Sequence, residues 1–482
     1  MRALFLAIVA TACLGYCLAG PPGAVERAPI GTSSETQYLI LGVPMDGAFE
    51  VDEKDVFGLI DGSVAGLVQR VGTTGDGCHR RLGFAVYFPA WIIDRVKPER
   101  VPVVLDAAFR VAAERGVAVH VIIESHYFWE TRPDLWNYFD PSSPGYDPDN
   151  RNNVEWSDWS GTPYPARFLD WGKPQVLPPH MCYACPRIRS EVARIARDVI
   201  GAPLRKSLDG LAAAGQEDLF SGVTVTSEPS VDNYGVVDRA NPDLAAFMDS
   251  LHAAKVRVGY NALTRMGYGP SNPPQDFPSA LGEINRQFAS DWARALVLAG
   301  ILPSKLYTHV AGAAGVPGWP GYDYFNAPLS AAFADSARPG WTTYPAGPLA
   351  AGFEPIYEEL DRHGNPPWGG MEASPAVPGT EIDPYDYLGW HYDHGAVVVV
   401  MNTGATDPAL SDILDRAVWG PAALAAYQRF LTEAICRAPV LPPPTRRPRP
   451  GVVRSREIGL VKKSGSPKLS RRDTDSKSGF LD

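Results

Sequence analysis

The sequence predicts an α/β fold, a (β/α)8 TIM barrel with long loops after its strands. Three features point there. Eight short apolar or β-branched runs alternate with helical segments between Tyr38 and Ala438, with no Pro/Ser-rich linker dividing them. Several runs, such as Val119-His120-Val121-Ile122-Ile123 and Ala396 to Val400, lack polar alternation, as parallel strands covered on both faces do. No glycine-rich turn follows the first run, so a doubly wound nucleotide-binding sheet fits less well.

In chain order the predicted strands are Tyr38 to Met45, Leu82 to Phe88, Val117 to Glu124, Gly222 to Glu228, Lys305 to Ala311, Trp341 to Pro345, Gly369 to Ala373 and Ala396 to Asn402. Helical periodicity is countable between them. Leu105, Ala108, Phe109 and Ala112 share a face before Gly116, as do Ile188, Val192, Ile195 and Val199. Leu244, Phe247, Met248 and Leu251 follow an Asn241-Pro242 start signal; Ile284, Phe288 and Leu296 precede Gly300; Phe353, Ile356, Tyr357 and Leu360 precede Gly364. Pro375 to Gly395 shows no helical period and reads as a long loop. A second long connection, Trp129 to Pro186, is dense in Trp, Tyr, Asp and Asn, and long barrel loops usually carry function.

The two ends differ from the body. Arg2 precedes an apolar run, Ala3 to Ala19, that ends in small residues before Pro21 and Pro22, the pattern of a secretory signal peptide. The expected organisation is a signal peptide over residues 1–20, an extension over 21–37, the barrel over 38–438 and a disordered basic tail over 439–482. From Val440 onward, eleven Lys or Arg residues stand against four acids. A lipid anchor at Cys17 is disfavoured by the bulky Tyr16, and no later stretch has the length to span a membrane. Outside the leader, Cys78, Cys182, Cys185 and Cys436 allow three pairings in an oxidising compartment, with Cys182 to Cys185 one candidate. That close pair is also a possible half of a zinc site, but no second close pair follows it.

Composition limits the partners. A net charge of −10 argues against a dedicated nucleic-acid binder, because neutralising phosphates needs a positive surface. Twelve tryptophans, many in predicted loops, suit a saccharide, whose apolar ring faces stack on aromatic rings while acids and amides bind its hydroxyls. Any single tryptophan is as well explained by loop packing.

In such a barrel the reactive groups stand where the strands end. Those positions hold Asp46, Glu124, His126, Glu228, His309, Tyr344, Glu372 and Asn402. Carboxylates after the fourth and seventh strands face each other across the mouth. Glycosidic cleavage needs such a pair, a protonated acid to donate to the departing oxygen and an ionised one to attack or activate water. The alternative reading of Glu124 and His126 is the start of a metal site, yet Pro44-Met45-Asp46 lacks the His-x-His pair usual after the first strand of metal-dependent barrel hydrolases.

Thr226-Ser227-Glu228-Pro229 and Gly370-Met371-Glu372-Ala373 resemble the acid/base and nucleophile motifs of the clan A retaining glycoside hydrolases, which include β-galactosidases, mannanases and cellulases. The resemblance implies that Glu228 is the acid/base and Glu372 the nucleophile, and that Tyr344 hydrogen-bonds the nucleophile. Ser227 stands where the clan usually places an asparagine that contacts the sugar 2-hydroxyl. The candidate substrate-binding residues are Tyr344, His309, Asn402, Ser227, His126, Trp129, Trp319 and Trp368. The expected activity is hydrolysis of a neutral oligo- or polysaccharide by a secreted enzyme without metal or other cofactor. The alternative is a carbohydrate-binding barrel with weak or lost chemistry.

Overall fold

The computed structural model describes residues 35–43, 47–76, 79–164, 167–169, 175–231, 257–311, 328–345, 353–377, 380–402 and 408–433. The expected leader, the helix expected around Leu244 to Leu251, Asp46, Cys78, Trp171, Trp319, Cys436 and the basic tail lie outside these residues.

Eight parallel strands form the sheet: β1 (Gln37–Gly42), β2 (Arg80–Pro89), β3 (Ala118–Glu124), β4 (Phe220–Thr224), β5 (Leu306–Tyr307), β6 (Gly340–Thr342), β7 (Trp368–Ala373) and β8 (Ala396–Met401). Their order is β5-β4-β3-β2-β1-β8-β7-β6, each pair parallel. The two end strands then meet. Parallel bridges join Tyr307 to Arg338 and Val310 to Trp341, with Thr308 N–H donating to Arg338 O at 3.0 Å and Thr342 N–H to Val310 O at 2.8 Å. The sheet is a barrel, as the alternation of apolar runs predicts. Small residues allow the tight inner wall: a Cβ at Gly83 would stand 2.7 Å from Ala118 O.

Each strand divides its side chains between two cores. Leu82, Phe84, Val86 and Phe88 of β2 face outward under the helices, while Ile40, Ala118, Tyr307, Met371 and Val398 form a smaller cluster inside the barrel. His120, also inside, is satisfied by the hydroxyls of Ser221 at 3.0 Å and Thr224 at 2.9 Å. The covering helices include α1 (Glu53–Val71), α2 (Arg100–Arg115), α3 (Pro186–Arg194), α4 (Ala202–Ala213), α5 (Tyr260–Arg265), α6 (Phe277–Leu298), α7 (Glu354–Arg362), α8 (Pro384–Tyr392), α9 (Pro408–Trp419) and α10 (Pro421–Thr432). Leu105, Ala108 and Ala112 are buried on α2, and Ile284, Phe288 and Leu296 on α6, as their spacing predicts. No helix among the described residues is long and apolar enough to cross a membrane.

Two expectations need correction. Pro375 to Gly395 is not a loop throughout, because it contains α8. Tyr385, Tyr387, Leu388, Gly389, His391 and Tyr392 are all buried there, so the helix has no polar face and shows no period. Its start signal is present: Asp383 accepts from Tyr385 N–H at 2.9 Å and Asp386 N–H at 3.1 Å, and Pro384 opens the helix. The fourth, fifth and sixth strands also end earlier than expected, at Thr224, Tyr307 and Thr342. Beyond Thr224 the chain stays beside its neighbour through Val225 N–H to Tyr307 O at 2.8 Å and Glu228 N–H to His309 O at 3.0 Å, but without a regular ladder.

The excursion between β3 and α3 is tied down internally. Cys182 and Cys185 are disulfide-bonded, which removes the thiolates that a zinc site would need. Glu155 is fully buried, and its carboxylate faces the backbone N–H groups of Trp156, Asn261 and Ala262. Burial is the largest influence on it and pushes its pKa from 4.5 up to about 8. The native state therefore holds this proton between those values while the unfolded chain has lost it. Stability from the neutral acid is fully present below about pH 4.5 and lost as pH rises through about 8. Relative to wild type, Glu155→Gln is expected to gain melting temperature steadily from pH 5 to pH 8 in paired thermal scans. A gap between the two curves that does not vary with pH would mean the side chain is already ionised.

Candidate active site

Every group at the barrel mouth arrives on the C-terminal end of a strand. Glu228 lies four residues past β4, His309 two past β5, Thr342 ends β6, Tyr344 follows two residues later, Glu372 is next to last in β7, and Asn402 follows β8. Glu228 reaches its place with φ at +48°, in the left-handed region that non-glycine residues rarely adopt. Such strain costs on the order of 1–3 kcal/mol and persists where the surroundings hold it. Here its N–H is fixed to His309 O.

The two glutamates converge. Glu228, His309 and Glu372 each offer a side-chain atom, and these atoms lie within 4.8 Å of one another. The carboxylates keep 26% and 32% of their side-chain exposure, so both are reachable by a ligand. Their surroundings differ. Glu372 Oε1 accepts from the Tyr344 hydroxyl at 2.5 Å and from Asn402 Nδ2 at 3.0 Å, and Asn402 also donates to the Tyr344 oxygen. Glu228 Oε1 accepts from the Thr342 hydroxyl.

Burial raises the pKa of both acids, and the charge of Glu372 adds to it for Glu228, which is pushed up to about 8. Two donors on Glu372 against one on Glu228 favour the anion at Glu372 and leave the shared proton on Glu228. His309 is driven down to about 3 by burial and is neutral at physiological pH. The Tyr344 phenol is held well above its ordinary pKa by burial and by Glu372, so it remains a donor.

Glu228, His309 and Glu372 are the one group among the described residues with three such atoms close enough to share a cation. A cation would need a lone pair on His309 Nε2, which is 2.9 Å from the Thr342 oxygen. With the Thr342 proton directed to Glu228, that nitrogen must carry a proton of its own. The donor set is thus occupied in holding a proton network and fits a metal poorly.

Of the predicted binding residues, Tyr344, His309 and Asn402 stand beside the carboxylates, and half-buried Ser227 immediately precedes Glu228. Three do not line the mouth. Trp129 is fully buried against Trp91, its indole N–H donating to Pro179 O at 3.1 Å. Trp368 is fully buried against Trp341, its indole bound to His394 O at 2.8 Å. His126 is enclosed between Tyr127 and Tyr183, beside Glu124. All three are packing residues because their polar edges sit in closed surroundings. Trp319 lies outside the described residues.

Two mouth residues escape a reading of strand ends alone. Thr342 shares a strand face with Tyr344, and the two-residue spacing was the available signal. Tyr87 belongs to the inward row of β2 after Gly83 and Ala85, is 44% exposed, and feels the charges of both Glu124 and Glu372. Glu124 is buried, and its Oε1 accepts from His126 N–H at 2.8 Å and Tyr127 N–H at 2.7 Å. It anchors the start of the long excursion.

No protein family matches the chain, and no curated protein does. Among solved structures, the chain is similar to the glycoside hydrolase domain of PgaB (BpsB) from Bordetella bronchiseptica, at 13% identity and a TM-score of 0.38 over 80% of this chain and 99% of that one. It is also similar to the exo-β-1,4-mannosidase Op5Man5 from Opitutaceae bacterium strain TAV5, at 11% identity and a TM-score of 0.39 over 85% and 63%. A D-allulose 3-epimerase from Methylomonas sp. stands at 11% identity and 0.34 over 83% and 97%. Glycoside hydrolases and epimerases thus both occur among these structures.

Proposed function

We propose that this chain is a secreted retaining β-glycoside hydrolase acting on a neutral saccharide, with Glu228 as acid/base and Glu372 as nucleophile. The observation that carries the proposal is the approach of the two carboxylates to within 4.8 Å at the barrel mouth. Retaining enzymes hold their carboxyl groups about 5–5.5 Å apart, whereas inverting enzymes leave room for a water between them at ~6.5–9.5 Å. Glu372 attacks the anomeric carbon as Glu228 passes its proton to the departing oxygen, forming a glycosyl ester. Glu228, now ionised, then takes a proton from water, which releases the sugar with its configuration retained. Tyr344 and Asn402 keep Glu372 oriented for attack, and Tyr87 offers an exposed ring near the end of β2.

One observation favours the second reading, a barrel that binds saccharide with weak chemistry. Ser227 is a short side chain where the clan has an asparagine, and the amide nitrogen of Asn402 is already engaged with Glu372 and Tyr344. A 2-hydroxyl contact worth several kcal/mol in the transition state then lacks its usual donor.

A panel of aryl β-glycosides distinguishes the two. Release of the aryl group, with the β-anomer as the first sugar product seen by proton NMR, is the outcome expected of the enzyme. Binding of sugars without release from any member of the panel supports the second reading, and an α-anomer formed first would replace retention with inversion.

A further inference from the structure

Thr342 connects two side chains, those of His309 and Glu228, that do not hydrogen-bond each other directly. Its hydroxyl donates to Glu228 Oε1, and the same oxygen lies 2.9 Å from His309 Nε2. A hydroxyl has one proton to give. With that proton on the Glu228 side, His309 Nε2–H is the donor to Thr342, and the chain runs His309 N–H to Thr342 O–H to Glu228 Oε1. The histidine has no direct hydrogen bond to either glutamate, since Nε2 is 3.6 Å from Glu228 and 3.8 Å from Glu372.

The backbone holds all three in register. Glu228 N–H donates to His309 O at 3.0 Å, and Thr342 N–H donates to Val310 O at 2.8 Å. Thr342 is nearly buried and β-branched, so its side chain has little rotational freedom to turn away.

We propose that Thr342 is a positioning residue for the acid/base step: by donating to Oε1 of Glu228, with His309 behind it, it reserves Oε2 as the oxygen that carries and transfers the proton. The inference rests on the glycosidase reading of the site. In the first step the Oε2–H bond breaks as a new O–H bond forms on the leaving oxygen, which keeps the electron pair of the broken C–O bond. In the second step the water oxygen bonds to the anomeric carbon as its proton returns to Oε2, and the ester bond breaks with its electron pair going back to the Glu372 carboxylate. Thr342 and His309 lose and gain no proton in either step. The ionisable groups facing Glu228 are Glu372 from β7, Tyr344 beyond β6 and His309 beyond β5.

The test compares wild type, Thr342→Val and Thr342→Ser in the full chain, using aryl β-glycosides with a 2,4-dinitrophenyl leaving group and with unsubstituted phenol. Thr342→Val is expected to lose about tenfold to a hundredfold in kcat/KM on the phenyl substrate, within the ~10²–10⁴-fold that general acid catalysis contributes. On the dinitrophenyl substrate, which departs without a proton, the change is expected to stay within about threefold. Thr342→Ser restores most of the loss. Equal losses on both substrates would reduce Thr342 to a structural residue.

A second readout needs no turnover. In protein labelled with ¹³C at glutamate carboxyls, with Glu228→Gln assigning the resonance, Thr342→Val is expected to raise the Glu228 titration midpoint because a donor to its anion is gone. An unmoved midpoint overturns the positioning role. Wild-type rates for Glu228→Gln on both substrates would instead overturn the glycosidase reading itself.

Discussion

Glu372→Gln is expected to abolish hydrolysis of aryl β-glycosides, with a loss of about 10⁴-fold or more, the scale that follows removal of the nucleophile in a covalent mechanism. The amide keeps the shape of the side chain and can still accept from Tyr344 and Asn402, so the fold and the pocket are retained. What is lost is the anion that, in the proposed mechanism, bonds to the anomeric carbon. The smaller Glu372→Gly leaves a cavity on the same face of the sugar. Azide entering it makes a single displacement, and the product is the α-glycosyl azide, inverted from the β-substrate. Steady-state rates and NMR of the azide adduct check both parts. Hydrolysis by Glu372→Gln at the wild-type rate would remove the assignment.

Glu228→Gln is expected to act differently on different substrates. Loss of the acid costs ~10²–10⁴-fold where the leaving group needs a proton and little where it does not. With activated substrates the glycosyl ester still forms, and azide then attacks it from the opposite face to give the retained β-glycosyl azide. The pH profile carries a further mark of the same residue. Burial and the neighbouring Glu372 hold Glu228 protonated up to about pH 8, so wild-type kcat/KM on the phenyl substrate is expected to fall as pH rises through that value. This alkaline limb should be missing from Glu228→Gln. If the limb survives in the variant, the group that titrates is another one.

The opposite products of the two azide experiments assign the roles independently of rate. They follow from the different surroundings of two chemically identical side chains. Tyr344 and Asn402 support the anion at Glu372, while Glu228 has Thr342 alone on Oε1. The proton is shared unequally for that reason.

The barrel was legible because its signals are local. All eight strands overlap the apolar runs that predicted them, though their ends differ by several residues, since side chains on both faces of a covered parallel strand must be apolar. The helical faces of α2, α6 and α7 follow from residues three and four apart meeting one core. Helix α8 was hidden by the same rule: surrounded by barrel, α7 and α10, it has no solvent face to produce a period. The tryptophans show a further limit. Trp129 and Trp368 have the composition of sugar platforms but bury their rings against Trp91 and Trp341, and nothing in the order of residues says which way a strand-end ring turns.

By itself the sequence determined the (β/α)8 architecture, and with the clan resemblance it pointed to Glu228 and Glu372 as one chemical pair, because strand ends in a closed parallel barrel share a mouth whatever their separation along the chain. Only the tertiary structure decided that their oxygens approach within 4.8 Å, that Thr342 stands between His309 and Glu228, and that Tyr87 rather than Trp129 or Trp368 faces the opening. The physical reason is one of range. Burial patterns are written into neighbouring residues, whereas a hydrogen bond between side chains 114 residues apart depends on the twist, register and closure of the whole sheet.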